Sequence, residues 1–218
     1  MGPTTGPTTS RCRRAAHRLA VVAVAIVVAS VTSGCSLSLW MWGSNDHTQL
    51  GTGSFGPSST VERQVGGQTW VAASAGTNHT CGIASDDSLF CWGANQAGQL
   101  GVGAGPNQTA PAAVAGGPWS AVSAGGAHTC GIAIAGQLSC WGSNTVGQLG
   151  IGNLIASSMP VGVGSETWKA VGLGDAHSCG IQTSGTLFCW GLNDNGELGI
   201  GGTTSRSAPQ PVNRKQWS

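Results

Sequence analysis

Histidine and cysteine recur together three times in this chain. His79, Cys81 and Cys91 are followed by His128, Cys130 and Cys140 and by His177, Cys179 and Cys189, each set 49 residues after the last. His79 stands two residues before Cys81, so on a strand both face one side. Cys91 lies opposite if the chain turns back near residue 86. Imidazole and thiolate together invite a zinc reading, but a closed structural zinc site wants four ligands and no fourth recurs. The same sulfurs can form three disulfides across hairpins instead. Directly opposed positions bring Cβ atoms within about 4.5–5.5 Å, near the span a disulfide needs. Closing so short a loop stabilises by about 3 kcal/mol or less. Three pairs of free buried thiols are the remaining alternative, and export of the chain would disfavour it. The histidines then read as structural, hydrogen-bonded to backbone where the strand begins.

Other candidate chemistry is thin. The Gly-rich segments 100–103 and 149–152 lack the Lys and the following helix of a phosphate cradle. Turns at positive φ explain them better. The carboxylates are Asp46, Glu62, Asp86, Asp87, Glu166, Asp175, Asp194 and Glu197, and no acid/base pair stands out among them. Ser and Cys nucleophiles have no distinct His partner. No catalytic residue, metal or cofactor is expected, and the chain reads as a non-enzyme.

The period itself points to the elements that position these residues. A fixed repeat of this length marks a repeat architecture. One unit reads as an alternating first strand over 70–80, a second strand over 81–85, a turn at Asp86-Asp87, a third strand over 89–95, a Gly-punctuated turn over 97–103, a variable loop and a fourth strand over 111–116. Four short strands per unit make one propeller blade. The expected fold is all-β, an incomplete propeller of four-stranded blades. Trp42, Trp92, Trp141 and Trp190 form one periodic series and Trp70, Trp119, Trp168 and Trp217 another, which reads as packing between blades. Trp40 lies outside both series and is expected to touch lipid or a partner.

Three motif parts repeat. G-x-x-H-[TS] occupies residues 76–80, 125–129 and 174–178, W-G-x-N starts at Trp42, Trp92, Trp141 and Trp190, and G-[QE]-L-G-x-G starts at Gly98, Gly147 and Gly196. These units resemble repeats of the regulator of chromosome condensation family, over residues 37–218. The first copy departs from the turn, with Thr48 in place of Gly. The resemblance implies a seven-bladed propeller, a structural role for the histidines and, in function, exchange of guanine nucleotide on a small GTPase.

The chain does not hold seven blades. Blades are expected at 68–115, 117–164 and 166–213, after a half-blade at 37–66 and before the start of a further strand at 214–218. In the half-blade Met41 stands where the other copies have Cys, and its partner strand with the second Cys is absent. Met fills apolar volume without leaving a lone thiol to mispair.

Residues 1–34 read as an export signal, set apart from the fold. Arg11, Arg13, Arg14 and Arg18 precede an apolar run of 13 residues from Leu19 to Val31, and small residues precede Cys35. Val31-Thr32-Ser33-Gly34-Cys35 resembles a bacterial lipobox with Thr32 in place of Leu, so residues 35–36 are the expected lipid anchor and Cys35 the lipidation site. An uncleaved signal would anchor the same domain to the same membrane. Four of the nine basic residues precede Cys35 and none of the eight acids do, leaving five against eight and a net charge of −3. Nucleic-acid binding lacks its basic footprint.

The chain is therefore expected to be an exported, bacterial lipoprotein-type member of the family, membrane- or surface-anchored, that binds a protein partner. Variation between units concentrates in the loops 52–60, 102–110, 151–159 and 200–208, which carry Phe55, Asn107, Leu154, Ile155, Met159 and Arg206. Repeat folds gather such loops on one face. The rival readings are nucleotide exchange, a wall-active or polymer-degrading enzyme, and a truncated remnant without independent function. Three and a half blades taken twice make seven, so a homodimer is expected to complete one ring.

Overall fold

The computed structural model describes residues 21–22, 25–26, 28–32, 36–54, 56 and 58–216. All of its regular structure is β. The first sheet holds β1 (Val21–Val22), β2 (Ala25–Ile26), β3 (Val28–Thr32), β4 (Ser36–Gly43) and β5 (Ser59–Gln64), with β4 between β3 and β5. The second is an antiparallel meander of β6 (Trp70–Ala75), β7 (His79–Ala84), β8 (Leu89–Gly93) and β9 (Gln108–Val114). The third blade opens with β10 (Trp119–Ala124), β11 (His128–Ala133) and β12 (Gln137–Gly142). Its last strand is β13 (Ser157–Leu173), which also starts the next blade with β14 (His177–Gln182), β15 (Thr186–Gly191) and β16 (Arg206–Gln216). The result is an incomplete propeller: three four-stranded blades preceded by a partial one.

Several boundaries differ from the sequence reading. The stretch 70–80 is two strands, because Gly76 N–H donates to His79 O at 2.8 Å and turns the chain between β6 and β7. His79 thus leads the second strand. The expected break between 164 and 166 falls inside β13, where one strand pairs with two blades in succession. Fourth strands begin earlier than expected, at Gln108, Ser157 and Arg206, so Met159 and Arg206 are strand residues and the loops are shorter.

Residues 1–34 were set apart from the fold on sequence, yet β3 pairs with β4 from Val28↔Trp40 to Thr32↔Ser36. The reason is local. The first repeat lacks its own second strand, so one edge of β4 is unpaired, and a Val-rich segment lies next to it in sequence. Cys35, Cys12 and Trp217 lie outside the described residues. No helix among the described residues is long and apolar enough to cross a membrane.

The hairpins place the cysteines as expected. Cys81↔Cys91, Cys130↔Cys140 and Cys179↔Cys189 are directly opposed, and all three pairs are disulfides with Cα atoms 4.1 Å apart. The turn at residues 86–87 is held by Ser88 N–H donating to Asp86 Oδ1 at 3.1 Å, and Asp87 adopts φ 66°. Asp tolerates that left-handed conformation better than most residues.

The cores lie between blades. Cys81, Cys91, Ile83 and Leu89 of one blade pack with Trp119 and Trp141 of the next. Cys130, Cys140, Ile132 and Leu138 pack in the same way with Trp168 and Trp190. In the partial blade Met41, fully buried, takes the position of the disulfide and packs with Leu39, Trp70 and Trp92. Converting Cys130 and Cys140 together to Ser should cost about 3 kcal/mol or less by loop closure. Two hydroxyls buried under Trp168 and Trp190 would add a desolvation cost of about 1–3 kcal/mol. Denaturant unfolding of the double variant measures this, and an unchanged midpoint would contradict the assigned staple.

Candidate interaction surfaces

One backbone carbonyl organises each blade junction. Gln49 O accepts Trp92 Nε1–H at 2.9 Å and Thr80 Oγ1–H at 2.9 Å. Gln99 O accepts Trp141 Nε1–H at 3.0 Å and Thr129 Oγ1–H at 2.7 Å. Gln148 O accepts Trp190 Nε1–H at 3.0 Å and Ser178 Oγ–H at 2.8 Å. Both lone pairs of each carbonyl are thereby used by the following blade. The carbonyl is presented by the Gly-Gln-Leu-Gly turn, where Gln99 Oε1 accepts Ala97 N–H at 3.0 Å and Gln148 Oε1 accepts Val146 N–H at 3.0 Å. Gly101 is required here, since a Cβ would sit 2.6 Å from Trp141 Nε1.

His79 and His128 join the same network and not, as sequence suggested, the backbone. His79 Nε2 lies 2.8 Å from Thr129 Oγ1 of the next blade, and His128 Nε2 lies 2.9 Å from Ser178 Oγ. Each hydroxyl already donates its proton to a Gln carbonyl, so it can only accept from the imidazole. Nε2 therefore carries a proton in both rings, and burial keeps the rings neutral. Their Nδ1 atoms are buried without a partner, against Gly76 and Gly125. The sulfurs of each set are joined to each other and so are not free to ligate a metal, and in the first two sets the histidine adds a junction bond.

A second network holds the variable loops. Asn144 is fully buried; its Oδ1 accepts Leu149 N–H at 3.0 Å, and its Nδ2 donates to Asn153 O and Ile155 O, both at 3.0 Å. Asn193 does the same with Leu198 N–H at 3.0 Å and with Gly202 O and Thr204 O at 3.1 Å. The W-G-x-N motif was legible, but this role was not read from it: an Asn that must both accept and donate when buried is the signal that could have found it.

The candidate partner-binding residues fare differently from one another. Leu154, Ile155 and Met159 are brought together on one loop and strand start at 60%, 72% and 44% exposure, a large apolar display for one short segment. Asn107 is half-buried and committed to its own loop, accepting Asn95 N–H at 3.2 Å and Gln96 Nε2–H at 3.0 Å. Arg206 is half-buried at the start of β16, with Nη1 donating to Ser205 O at 3.4 Å. Phe55 lies outside the described residues. Ile134, at 55% exposure on the β11–β12 hairpin, and Val71, at 48% on β6, were not singled out from sequence.

The profile of the regulator of chromosome condensation (RCC1) repeat matches residues 38–83, 86–132, 135–181 and 184–216. The chain belongs to the RCC1 repeat family. A second profile of the RCC1 repeat matches residues 70–99, 119–148 and 168–197. Human protein RCC2 is 38% identical over 96 residues, 39% of this chain and 18% of RCC2. The RCC2 homolog of Xenopus laevis is 37% identical over 67 residues, 30% of this chain and 13% of that protein. Human WBSCR16 superposes with a TM-score of 0.75 at 22% identity, covering 90% of this chain and 55% of that one. Yeast RCC1 (Prp20), solved with Kap60, gives 0.74 at 21% identity, covering 90% and 51%. The matches thus take in about half of these solved RCC1-like chains and less than a fifth of these two curated relatives. The first three matches of the RCC1 repeat begin at the third strand of one blade and end with the second strand of the next, so each of them contains a junction.

The buried histidines give the RCC1 junctions a pH dependence. Burial lowers the His79 pKa to about 4. Burial, and then the neighbouring His79 and His128-flanking His177, lower that of His128 to about 3. Unfolding restores both to about 6.5. The unfolded chain therefore binds more protons below pH 6.5, and stability present above that pH is lost as pH falls towards the folded values. At pH 5 the loss should be roughly 2 kcal/mol for each buried His. Denaturant midpoints at pH 7.5 and pH 5 measure it, and His79→Gln should flatten the profile.

Proposed function

We propose that the chain is a surface-anchored, non-enzymatic protein-interaction module that binds its partner through the variable-loop face. The observation that carries this reading is the Leu154-Ile155-Met159 display, exposed on a backbone that Asn144 holds from beneath. Apolar side chains on a rigid support bind without a large ordering cost. Family membership supports a protein partner: yeast RCC1 is solved bound to Kap60, and Prp20p is described by its binding to Gsp1p and histones. Those partners belong to those proteins.

Export and lipidation at Cys35 supply the anchor in this reading. Cleavage before Cys35 would also remove β3 from the edge of β4. A mature mass beginning at Cys35 with a diacylglycerol adduct is the expected product in a bacterial host, and Cys35→Ser should leave the chain unprocessed. A further partner we propose is a second copy of this chain, joined through open blade edges and not through the loops.

Nucleotide exchange on a small GTPase is the second reading, favoured by RCC1 repeat membership. Stimulated nucleotide release from a candidate GTPase would support it.

The loop reading predicts that Leu154→Asp and Ile155→Asp together abolish capture of the envelope protein that the unaltered domain retains. Thermal unfolding should be unchanged, because both side chains are exposed. Retained capture by a folded double variant would overturn the assignment of this face.

A further inference from the structure

The blade junction recurs three times within the chain, and its receiving half is present a fourth time. Gln49, Gln99 and Gln148 are succeeded by Glu197, and Gly51, Gly101 and Gly150 by Gly199. At the first three glycines a Cβ would lie 2.5–2.6 Å from an indole nitrogen of the next blade. At Gly199 the nearest atom is Val212 Cγ1 at 3.4 Å, so the space an indole fills elsewhere is open. Among the described residues Glu197 O accepts no hydrogen bond from a Trp or hydroxyl. The apolar face beside it is uncovered as well. Cys179, Ile181 and Leu187 are half-buried, whereas their counterparts Cys81, Ile83 and Leu89 are at 0%, 1% and 1%.

The complementary half lies at the other end of the chain. Trp42 begins W-G-x-N like Trp92, Trp141 and Trp190, which are all at 0% exposure. Trp42 is half-buried, and its indole N–H has no turn carbonyl to meet among the described residues.

We propose that the Glu197–Gly199 edge of one copy receives Trp42 of a second copy, head to tail. Trp42 Nε1–H donates to Glu197 O, its ring fills the space over Gly199, and the β4–β5 unit covers Cys179, Ile181 and Leu187. One substitution favours this occupant over a complete blade. Junctions with complete blades also use a hydroxyl on the first strand: Ser74 Oγ accepts Ala124 N–H at 3.0 Å, and Ser123 Oγ accepts Leu173 N–H at 3.2 Å. The fourth position is Gly172, which has no hydroxyl to offer. The edge has dropped the bond made to a first strand and kept the socket for a third-strand Trp. The partial blade of β4 and β5 has the Trp and lacks the first strand. The partial blade of one copy then lies between its own next blade and the last blade of the other copy, so two partial blades do not merge into one. Such heterologous contacts build rings when the rotation closes and strings when it does not.

This assignment rests on the proposed self-association, and the test separates the two. Sedimentation of the purified full chain gives its mass, and Trp42→Ala and Gly199→Asn each remove one half of the joint. Asn tolerates positive φ, and Gly199 has φ 63°. The unaltered chain should associate, and each variant alone should associate about tenfold more weakly or less still, as expected for loss of a buried Trp anchor. A mixture of the two variants should return to a dimer and stop there, since one intact Trp42 then meets one intact socket. A monomeric unaltered chain would overturn both the self-association and this joint. An associating chain whose variants associate equally would overturn the joint alone. Should Gly199→Asn fail to fold, Ile181→Glu on the same face takes its place with the same expected outcomes.

Discussion

The structure depends on a backbone carbonyl that cannot be satisfied by its own blade. Each Gly-Gln-Leu-Gly turn points one C=O into the next blade, where an indole N–H and a hydroxyl both donate to it. A buried carbonyl without partners costs free energy comparable to a lost hydrogen bond. The turn is thus stable in this form only when the following blade is in place. The imidazole closes the same junction: His79, on the blade that carries Gln99, donates to Thr129 of the next blade, which donates back to Gln99, while Thr80 beside His79 donates to Gln49 of the preceding junction. Order in one junction is a condition for order in the next, which couples a chain of otherwise near-neighbour contacts.

The apolar contacts follow the same geometry. A blade's own disulfide lies beneath the Trp pair of its successor, so no blade completes a core alone. The disulfide ties the hairpin, and the Trp pair of the next blade buries it. Met41 keeps the volume of this layer where no second strand brings a matching sulfur. Its full burial shows that the layer, and not the sulfur chemistry, is what the junction needs.

Much of this was legible from period alone. Strand count, the three disulfides and the packing of the periodic Trp residues follow from spacing and from alternation along strands. The histidine was misread because its partner is 50 residues away, in a neighbouring blade whose register no local pattern reveals. Strand limits were misplaced at residues 76–78 and 164–166 for a related reason. Alternation continues through a tight turn at Gly76, and β13 serves two blades with one uninterrupted strand. Among candidate contact residues, exposure separated Leu154, Ile155 and Met159 from Asn107, whose polarity alone could not tell an outward contact from an inward anchor.

The RCC1 repeat as a sequence unit and the blade as a structural unit are out of phase by half. A repeat that begins at the third strand opens with the Trp that donates to a preceding turn, then builds a turn that accepts from the following blade. Any run of such repeats therefore carries a donor edge at its start and an acceptor edge at its finish, of matching shape because they are copies of one junction. In this chain the two edges differ from its inner junctions. Thr48, at φ 66°, replaces the first turn glycine and uses its hydroxyl to bond Gln108 O at 2.9 Å, tightening the junction next to the partial blade. Gly172 removes a hydroxyl at the finish, while Glu197 keeps the turn through Asn195 N–H at 2.9 Å to its carboxylate. The acceptor edge thus keeps its built form with one fewer bond to offer. An exposed edge strand is a template for pairing, and this edge joins to it an apolar face and the open space over Gly199.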